Sequence, residues 1–317
     1  MSKEFPRKEF YVYTSKAPLG EGTVIALKDR EFSIGDVLRE YSEKKWETDN
    51  AGWISSVIPT VTDVEHDGYS MKLHCGLTEY KYLLGMVKFA DEKKETGLTE
   101  VIHGLSTEIM PLLADETFPL ERRTESSTQH GVGFYDIPSA GQNAQMWIDK
   151  LPEDKLHLVN SLFDVFGFPK WNMMRNIGFN YEEIGDIFYT GFSRGFEVSL
   201  DSQFNGYVRI KAESEEIKNR PGNDNKFFYK FDDFLDFLSS INNDGKSKKI
   251  KEDVYGNIPQ PTENGFKIID DCFGTLLSNI FHLKGGKYYR QAKEILIQKE
   301  YRINEINDAR TNLLELN

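Results

Sequence analysis

The stretch that most constrains the fold runs from residue 102 to residue 168, where strand-like, loop-like and helix-like segments follow one another in a distinctive order. Residues 99–115 and 117–123 predict neighbouring strands. Residues 131–142 form a glycine-punctuated strand and loop, and residues 152–166 predict a helix. This alternation predicts a domain in which helices pack on a sheet, which is the α/β class.

The predicted helix at residues 152–166 is defined by its ends and by its apolar spacing. Pro152 suits a first helical position, whereas Gly167 and Pro169 are typical of a helix end. An apolar stripe follows helical spacing and comprises Leu156, Val159, Phe163 and Phe166. We therefore expect this helix to pack on the sheet through that stripe.

The segments on either side divide the chain into three expected regions. Residues 1–98 are strand-rich, with a hairpin predicted around Asp67–Gly68 and another between the strands at residues 9–15 and 22–29. Residues 99–243 form the main domain. Residues 244–317 comprise a charged linker and two helices separated by Gly285 and Gly286.

Composition excludes several classes of partner. The 39 basic and 51 acidic residues give a formal net charge of −12, which disfavours a nucleic-acid polymer or an anionic membrane as principal partner. The two cysteines, Cys75 and Cys272, form no CxxC pair, and neither a signal peptide nor an apolar run of membrane-spanning length is visible. We expect a soluble, cytoplasmic protein.

Residues in the central stretch resemble the Nudix hydrolase superfamily. Arg122 and Arg123 occupy its arginine-bearing strand, the segment Tyr135–Pro138 its aromatic-to-proline step, and Gly141 the first glycine of its signature. The resemblance covers roughly residues 100–240. It implies an α/β/α sandwich with a mixed sheet, here with a strand-rich N-terminal extension and a helical C-terminal appendage. It also implies a nucleotide or a nucleoside-diphosphate-linked compound as ligand.

The signature G-x5-E-x7-R-E-U-x-E-E-x-G-U, where U is apolar, requires clustered helical carboxylates that hold divalent metal ions. Counting from Gly141 places the glutamate positions on uncharged residues, namely Trp147, Leu156, Val159 and Asn160. When Gly167–Phe168 is aligned with the closing G-U, Asp164 is the only acidic residue that occupies a glutamate position of the signature. Glu153 is the other candidate, but it lies about 16 Å from Asp164 along a helix. The metal box is therefore degenerate, and Mg²⁺ or Mn²⁺ would be cofactors only of an active hydrolase.

The ligand-binding candidates are Arg122, Arg123, Phe134, Asp136 and Gln142. Adjacent strand residues point to opposite faces, so at most one of the two arginines enters a given cleft, where it would bind a phosphate or a base. The alternative for the arginines is a surface ion pair with Glu121, Glu125 or Asp115. The alternative for Phe134 and Asp136 is that they are ordinary core and turn residues without a role in ligand binding.

A second polar segment, residues 190–207, contains Arg194 between glycine–aromatic pairs, with the acids Glu197 and Asp201 close by in sequence. It lines a ligand cleft in one interpretation and forms paired strands with a tight turn in the other.

Three functional hypotheses follow. The first is a Nudix-like protein that binds a small nucleotide-like ligand without standard catalysis. The second is a divergent Nudix hydrolase that uses acids from outside the usual helix. The third is a structural or interaction protein. A homo-oligomer is compatible with each of them.

Overall fold

The computed structural model describes residues 8–49, 55–93, 101–123, 135–195, 202–240, 252–257 and 270–315. Its strands are β1 (Glu9–Leu19), β2 (Val24–Lys28), β3 (Val57–His66), β4 (Met71–Glu79), β5 (Ser106–Leu112), β6 (Thr117–Arg122), β7 (Tyr135–Asp136), β8 (Gly141–Gln142), β9 (Ile184–Gly195), β10 (Ser202–Ile210), β11 (Lys226–Lys230), β12 (Arg302–Glu305) and β13 (Arg310–Asn312). Its α-helices are α1 (Asp36–Asp49), α2 (Tyr80–Lys93), α3 (Gln145–Asp149), α4 (Gly167–Ile177), α5 (Ser214–Lys218), α6 (Phe234–Ser240), α7 (Asp270–Lys284) and α8 (Gly286–Gln298). Within these ranges, no helix combines the length and the apolar character needed to cross a membrane.

A six-stranded mixed sheet forms the centre of the molecule, in the order β12-β1-β9-β10-β5-β8. Strand β5 runs parallel to β10 and antiparallel to β8, and β9 runs antiparallel to both β1 and β10. The predicted α/β class is thereby confirmed.

Helices cover both faces of this central sheet. Ile109 and Met110 are neighbours on β5, and both are fully buried. Ile109 belongs to an apolar cluster that includes Met173 and Ile177 of α4, whereas Met110 belongs to another that includes Phe273 of α7. Because successive strand residues point to opposite faces, α4 and α7 lie on opposite sides of the sheet.

The N- and C-terminal segments both contribute strands to the sheets. Strand β1 pairs with β9 in the central sheet, and β12 pairs with β1. A four-stranded sheet has the order β13-β3-β4-β2, so a strand from the C-terminal segment borders the N-terminal hairpin. The sequence predicted helices alone in the C-terminal region, because strands of three or four residues are too short to show a clear alternation.

The predicted hairpin between the first two strands is wrong. Strand β1 continues through Pro18 to Leu19, and its pairing with β9 shifts register between Thr14 and Leu19. A proline is tolerated at such an irregularity because no ladder hydrogen bond is required of it. Strand β2 then pairs in parallel with β4, in the other sheet. The hairpin predicted around Asp67–Gly68 is present as β3 and β4.

The helix predicted at residues 152–166 is also wrong. The structure has a short 3-10 turn there, Glu153–Leu158, and the α-helix begins only at Gly167. Asp164 explains this start, because its Oδ1 accepts hydrogen bonds from the backbone N–H groups of Phe166 and Gly167 at 3.1 and 2.7 Å. Pro169 lies in the first turn of α4, where its missing N–H has no helical partner to lose. Of the predicted apolar stripe, Val159 and Phe163 pack in a cluster with Phe168, and Phe166 packs against the cluster of the central sheet. Leu156 is exposed, so its predicted packing is wrong.

A small third sheet, in the order β11-β6-β7, lies beside α7. Both strands predicted in this part of the chain are present, as β5 and β6, but they belong to different sheets and are not paired as neighbours. Tyr135 and Ile137 of this region share an apolar cluster with Phe273. This packing brings the polar residues at the ends of β6 and β7 against the central sheet.

Candidate functional site

Arg123 and Asp136, both predicted as ligand-binding residues, form a partly buried ion pair. The Nε and Nη2 atoms of Arg123 donate to Oδ2 of Asp136 at 3.0 and 2.7 Å. Oδ1 of Asp136 accepts a hydrogen bond from the backbone N–H of Ile137 at 2.8 Å. Asp136 is buried, and both of its oxygens are engaged. Its side chain is thus held within the protein.

Glu108 of β5 lies beside this pair. One carboxylate oxygen each from Glu108 and Asp136, together with Sγ of Cys272 from α7, lie within 4.8 Å of one another, and all three residues are buried. Burial, and next the neighbouring charge of Asp136, raise the pKa of Glu108 well above its usual range. This direction favours the protonated form of Glu108, since two adjacent carboxylates resist double ionisation in a dry environment.

The hydrogen bonds around Thr275 are compatible with a protonated Glu108. The Thr275 hydroxyl lies 2.8 Å from Oε2 of Glu108 and 2.8 Å from Oδ1 of Asn205. A threonine hydroxyl has one hydrogen and can donate to only one of these acceptors. A proton on Glu108 supplies the second hydrogen bond. The network continues from Asn205, whose Nδ2 donates to Oγ of Ser193 at 3.0 Å.

The same cluster is poorly suited to Mg²⁺ or Mn²⁺. Burial raises the pKa of the Cys272 thiol, so this ligand is protonated, and a thiol is not the oxygen donor that these ions prefer. Arg123 already neutralises Asp136, and its guanidinium would repel a cation. Metal binding would require loss of the protons from Glu108 and Cys272 as well as displacement of Arg123.

A second ion pair extends the cluster along the small sheet. Glu121 of β6 is the cross-strand partner of both Asp136 and Lys226. Lys226 is buried, and its Nζ lies 3.2 Å from Oε2 of Glu121. Burial raises the pKa of Glu121, while Lys226 opposes that shift. Each carboxylate in this region that ionises therefore has a cation beside it.

The other predicted ligand-binding residues take different positions. Arg122 is half-buried at the end of β6 opposite Tyr135, and it forms no ion pair with any part of the chain that the structure describes. Gln142 pairs with Ser106 across the strands, which places it on the same sheet face as Glu108, two residues along β5. Phe134 lies outside the described residues. The structure thus pairs Arg123 with Asp136, and Arg122 takes no part in this ion pair.

The two metal candidates of the signature region, Glu153 and Asp164, do not belong to this cluster. Glu153 is exposed at the start of the 3-10 turn. Asp164 uses Oδ1 to cap α4, and its Oδ2 accepts a hydrogen bond from the backbone of Asn160 at 2.9 Å. Its role in the structure is to begin the helix.

The segment around Arg194 forms paired strands, as one of its two interpretations predicted. Arg194 on β9 pairs with Ser202 on β10, and the Arg194 side chain is 2% exposed. Nδ1 of His103 lies 3.2 Å from Oγ of Ser202, and burial followed by the charge of Arg194 lowers the pKa of His103 well below its usual range. Glu197 and Asp201 lie outside the described residues.

Sequence reasoning missed Glu108, Cys272 and Thr275. Two patterns pointed to them. Glu108 is a single acid within the otherwise uncharged run of residues 105–113, which is typical of a buried strand with one specialised polar contact. In α7, the polar residues Thr275, Ser278, Asn279 and His282 follow helical spacing, which indicates a polar stripe facing another layer.

The chain matches no protein-family model and no curated protein.

Proposed function

We propose that this chain is a Nudix-like protein that binds a nucleotide or a nucleoside-diphosphate-linked ligand and lacks the metal-dependent hydrolysis of that superfamily. The observation that carries this proposal concerns α4. This helix follows the loop that resembles the family's, and it presents amide side chains where the signature has carboxylates.

The observed end of α4 gives a different alignment of the signature. Gly178 ends the helix with a φ of 78°, a left-handed conformation that favours glycine, and Phe179 after it is buried. These two residues suit the closing G-U of the signature better than Gly167–Phe168, which lie at the start of the helix. The alignment supports placing the R-E-U-x-E-E-x-G-U part of the signature on Trp171–Phe179, and the position of the first glycine then falls on His157 instead of Gly141.

With this alignment, the R-E positions hold Trp171 and Asn172, and the E-E positions hold Arg175 and Asn176. No aspartate or glutamate occurs anywhere in α4. Amides are neutral and cannot replace the carboxylates that balance the charge of Mg²⁺ and pyrophosphate.

Contacts between α4 and the preceding loop support the assignment. Nδ2 of Asn176 donates to the carbonyl oxygen of Pro138 at 3.0 Å. A Cβ atom at Gly141 would lie 2.5 Å from Nδ2 of Asn172, so this glycine permits a close approach of the helix. Asn172 thus occupies the place nearest the loop, where the family requires an acid.

The acids elsewhere give less support to a divergent hydrolase. Glu108 and Asp136 lie on the α7 side of the central sheet, away from α4, and they are engaged by Thr275 and Arg123. The raised pKa of Glu108 moreover disfavours its ionised form. A water molecule could not be activated by a metal ion at this cluster without first breaking these contacts.

Cationic groups at the surface support an anionic ligand. Arg122 is half-buried and forms no ion pair within the described chain, so its guanidinium can bind a phosphate in two-pronged geometry. Arg175 is exposed on α4, and its guanidinium lies 3.8 Å from the centre of the Trp147 ring. These contacts would bind a nucleotide without requiring a metal.

The test combines binding with turnover. The full chain is incubated with nucleoside diphosphates, dinucleotides and nucleotide sugars, with and without Mg²⁺ or Mn²⁺. We expect at least one compound to raise the melting temperature and none to be hydrolysed. Arg122→Ala should weaken that binding about tenfold, the value of one charge-assisted contact. Arg209→Ala, which removes an exposed arginine paired with Glu116, is the control. Metal-dependent turnover, or the absence of any binding, would contradict the proposal.

A further inference from the structure

Three polar side chains on the α4 side of the central sheet are buried without a full set of partners. The hydroxyl of Thr107 and both amide atoms of Asn172 make no hydrogen bond within the described chain, and neither does Oδ1 of Asn143. All three side chains are 0% exposed. Native proteins rarely leave buried polar atoms unpaired, and such atoms mark a place where water or a ligand binds.

Thr107 and Asn172 lie beside Gly141, and Asn143 is two residues along the chain from it. Thr107 is the cross-strand partner of Gly141, so its side chain lies on the sheet face that the Cβ of Gly141 would occupy. That same Cβ position is filled by the amide of Asn172. Gly141 has no positive φ, so the close approach of Asn172 explains the absence of a side chain. Asn143 follows two residues later, and its Nδ2 donates to the carbonyl oxygen of Leu162 at 3.1 Å.

The lining of this site is uncharged. Asn172 offers an amide donor and an amide acceptor side by side, Thr107 offers a hydroxyl that donates and accepts, and Asn143 offers an acceptor. An isolated charge placed among them would be desolvated without compensation. The complementary group is therefore neutral and planar, with an adjacent donor and acceptor. The edge of a nucleobase has this pattern, and asparagine pairs with such edges through two hydrogen bonds.

A ligand would reach this site by displacing the short edge strand β8. Ala140, Gly141 and Gln142 are partly exposed, so Asn172 lies one layer beneath the surface. Strand β8 has two residues, and it borders the central sheet through β5 alone. Opening so short an edge breaks few contacts, and local opening of this kind is characteristic of binding elements.

We infer that Thr107, Asn143 and Asn172 form a binding site for the uncharged edge of a nucleobase, beneath Gly141 on the α4 side of the sheet. The inference rests on the proposed function and names the part of the ligand that this face recognises. The phosphate-binding contact through Arg122 is separate from it.

The experiment uses uncharged nucleosides and the matching nucleoside diphosphates on the full chain, with binding measured by calorimetry. Asn172→Leu and Thr107→Val remove the hydrogen-bonding atoms with little change in volume. Thr78→Val is the matched control, because Thr78 is another buried threonine without a partner for its hydroxyl, in the four-stranded sheet. We expect one nucleoside to bind wild type, each site variant to weaken it at least tenfold, and the control to change it less than twofold.

The stability of the unliganded variants provides a second readout. We expect the melting temperatures of Asn172→Leu and Thr107→Val without ligand to equal or exceed that of wild type, because each removes an unpaired polar group. If Asn172→Leu does not fold, Thr107→Val alone decides the question.

The failures are distinguishable. If diphosphates bind wild type and both site variants equally well, the site under Gly141 is not a base site, although the proposed function stands. If neither nucleosides nor diphosphates bind, the proposed function fails as well. If no nucleoside binds and both variants melt below wild type, ordered water fills the site and the inference is overturned.

Discussion

The two faces of the central sheet differ in how far their buried polar groups are paired. On the α7 side, Asp136 is paired with Arg123 and Oε2 of Glu108 lies beside the Thr275 hydroxyl, whereas Oε1 of Glu108 has no hydrogen-bond partner in the described chain. On the α4 side, Thr107 and Asn172 are neutral, and their polar atoms have no partner in the described chain. The charged groups Arg123 and Asp136, which cost the most free energy to bury, are thus paired with each other.

This difference separates a structural network from a binding surface. A closed network fixes the position of a helix on a sheet and gains little from a ligand. Open neutral groups are satisfied only when water or a ligand binds to them. The acids of the α7 side, which would otherwise suggest catalysis, therefore belong to the framework.

The largest expected effect comes from breaking the ion pair on the α7 side. Asp136→Ala removes the carboxylate that holds the partly buried Arg123, and loss of one partner from a buried pair costs about 3–5 kcal/mol of unfolding free energy. Urea denaturation measures this cost. The control is Asp36→Ala, at an exposed pair with Arg39, where we expect less than about 1 kcal/mol. Equal small effects in both variants would show that the α7 network is not structural.

A carboxylate introduced on the α4 side should be destabilising. Asn172→Asp places an acid without a partner at a fully buried position, so we expect unfolding free energy at pH 7 to fall by about 2–3 kcal/mol. The loss should diminish as pH falls, because protonation neutralises the new group. Mg²⁺ should restore neither stability nor hydrolysis, because one carboxylate does not rebuild the cluster. Recovery of turnover with Mg²⁺ would instead indicate that a single carboxylate at position 172 is sufficient to form a working metal site.

Glu108→Gln should change the pH dependence of stability. The folded-state pKa of Glu108 is raised, so wild type loses stability as pH rises from the ordinary glutamate pKa towards the raised one. Glutamine does not titrate in this range. Relative to wild type, the variant should therefore gain up to about 1.4 kcal/mol for each pH unit within that interval. Denaturation at pH 5, 6, 7 and 8 measures the gain, and parallel stability profiles would show that Glu108 is ionised in the folded protein.

The sequence predicted the parts of the fold whose patterns are local. The hairpin at Asp67–Gly68 and the two C-terminal helices are present because a turn residue pair or a helical stripe is sufficient to specify them. The error at residues 152–166 arose because apolar residues of a compact turn also follow helical spacing. Asp164 followed by Pro169 is typical of a helix start, and attention to this pair would have placed α4 correctly.

The site was predictable only in part for the same reason. Arg123 and Asp136 are 13 residues apart, and a strand–loop–strand pattern brings them together. Glu108 and Thr275 are 167 residues apart, and their contact depends on how α7 docks on the sheet. No local pattern specifies that docking. The unpaired state of Asn172 likewise follows from the packing of α4 on Gly141 and becomes visible only in the folded protein.

The same substitution, threonine to valine, can be made once on each face of the central sheet, so the two faces can be compared directly. Thr275→Val and Thr107→Val each replace a fully buried threonine hydroxyl by a methyl group, one from the closed network and one from the open site. The measurement is the unfolding free energy of both variants without ligand. We predict that Thr275→Val loses about 1–3 kcal/mol, because Glu108 and Asn205 lose a hydrogen-bonding partner, and that Thr107→Val loses nothing or gains up to about 1 kcal/mol. Equal losses in the two variants would contradict the distinction between the two faces.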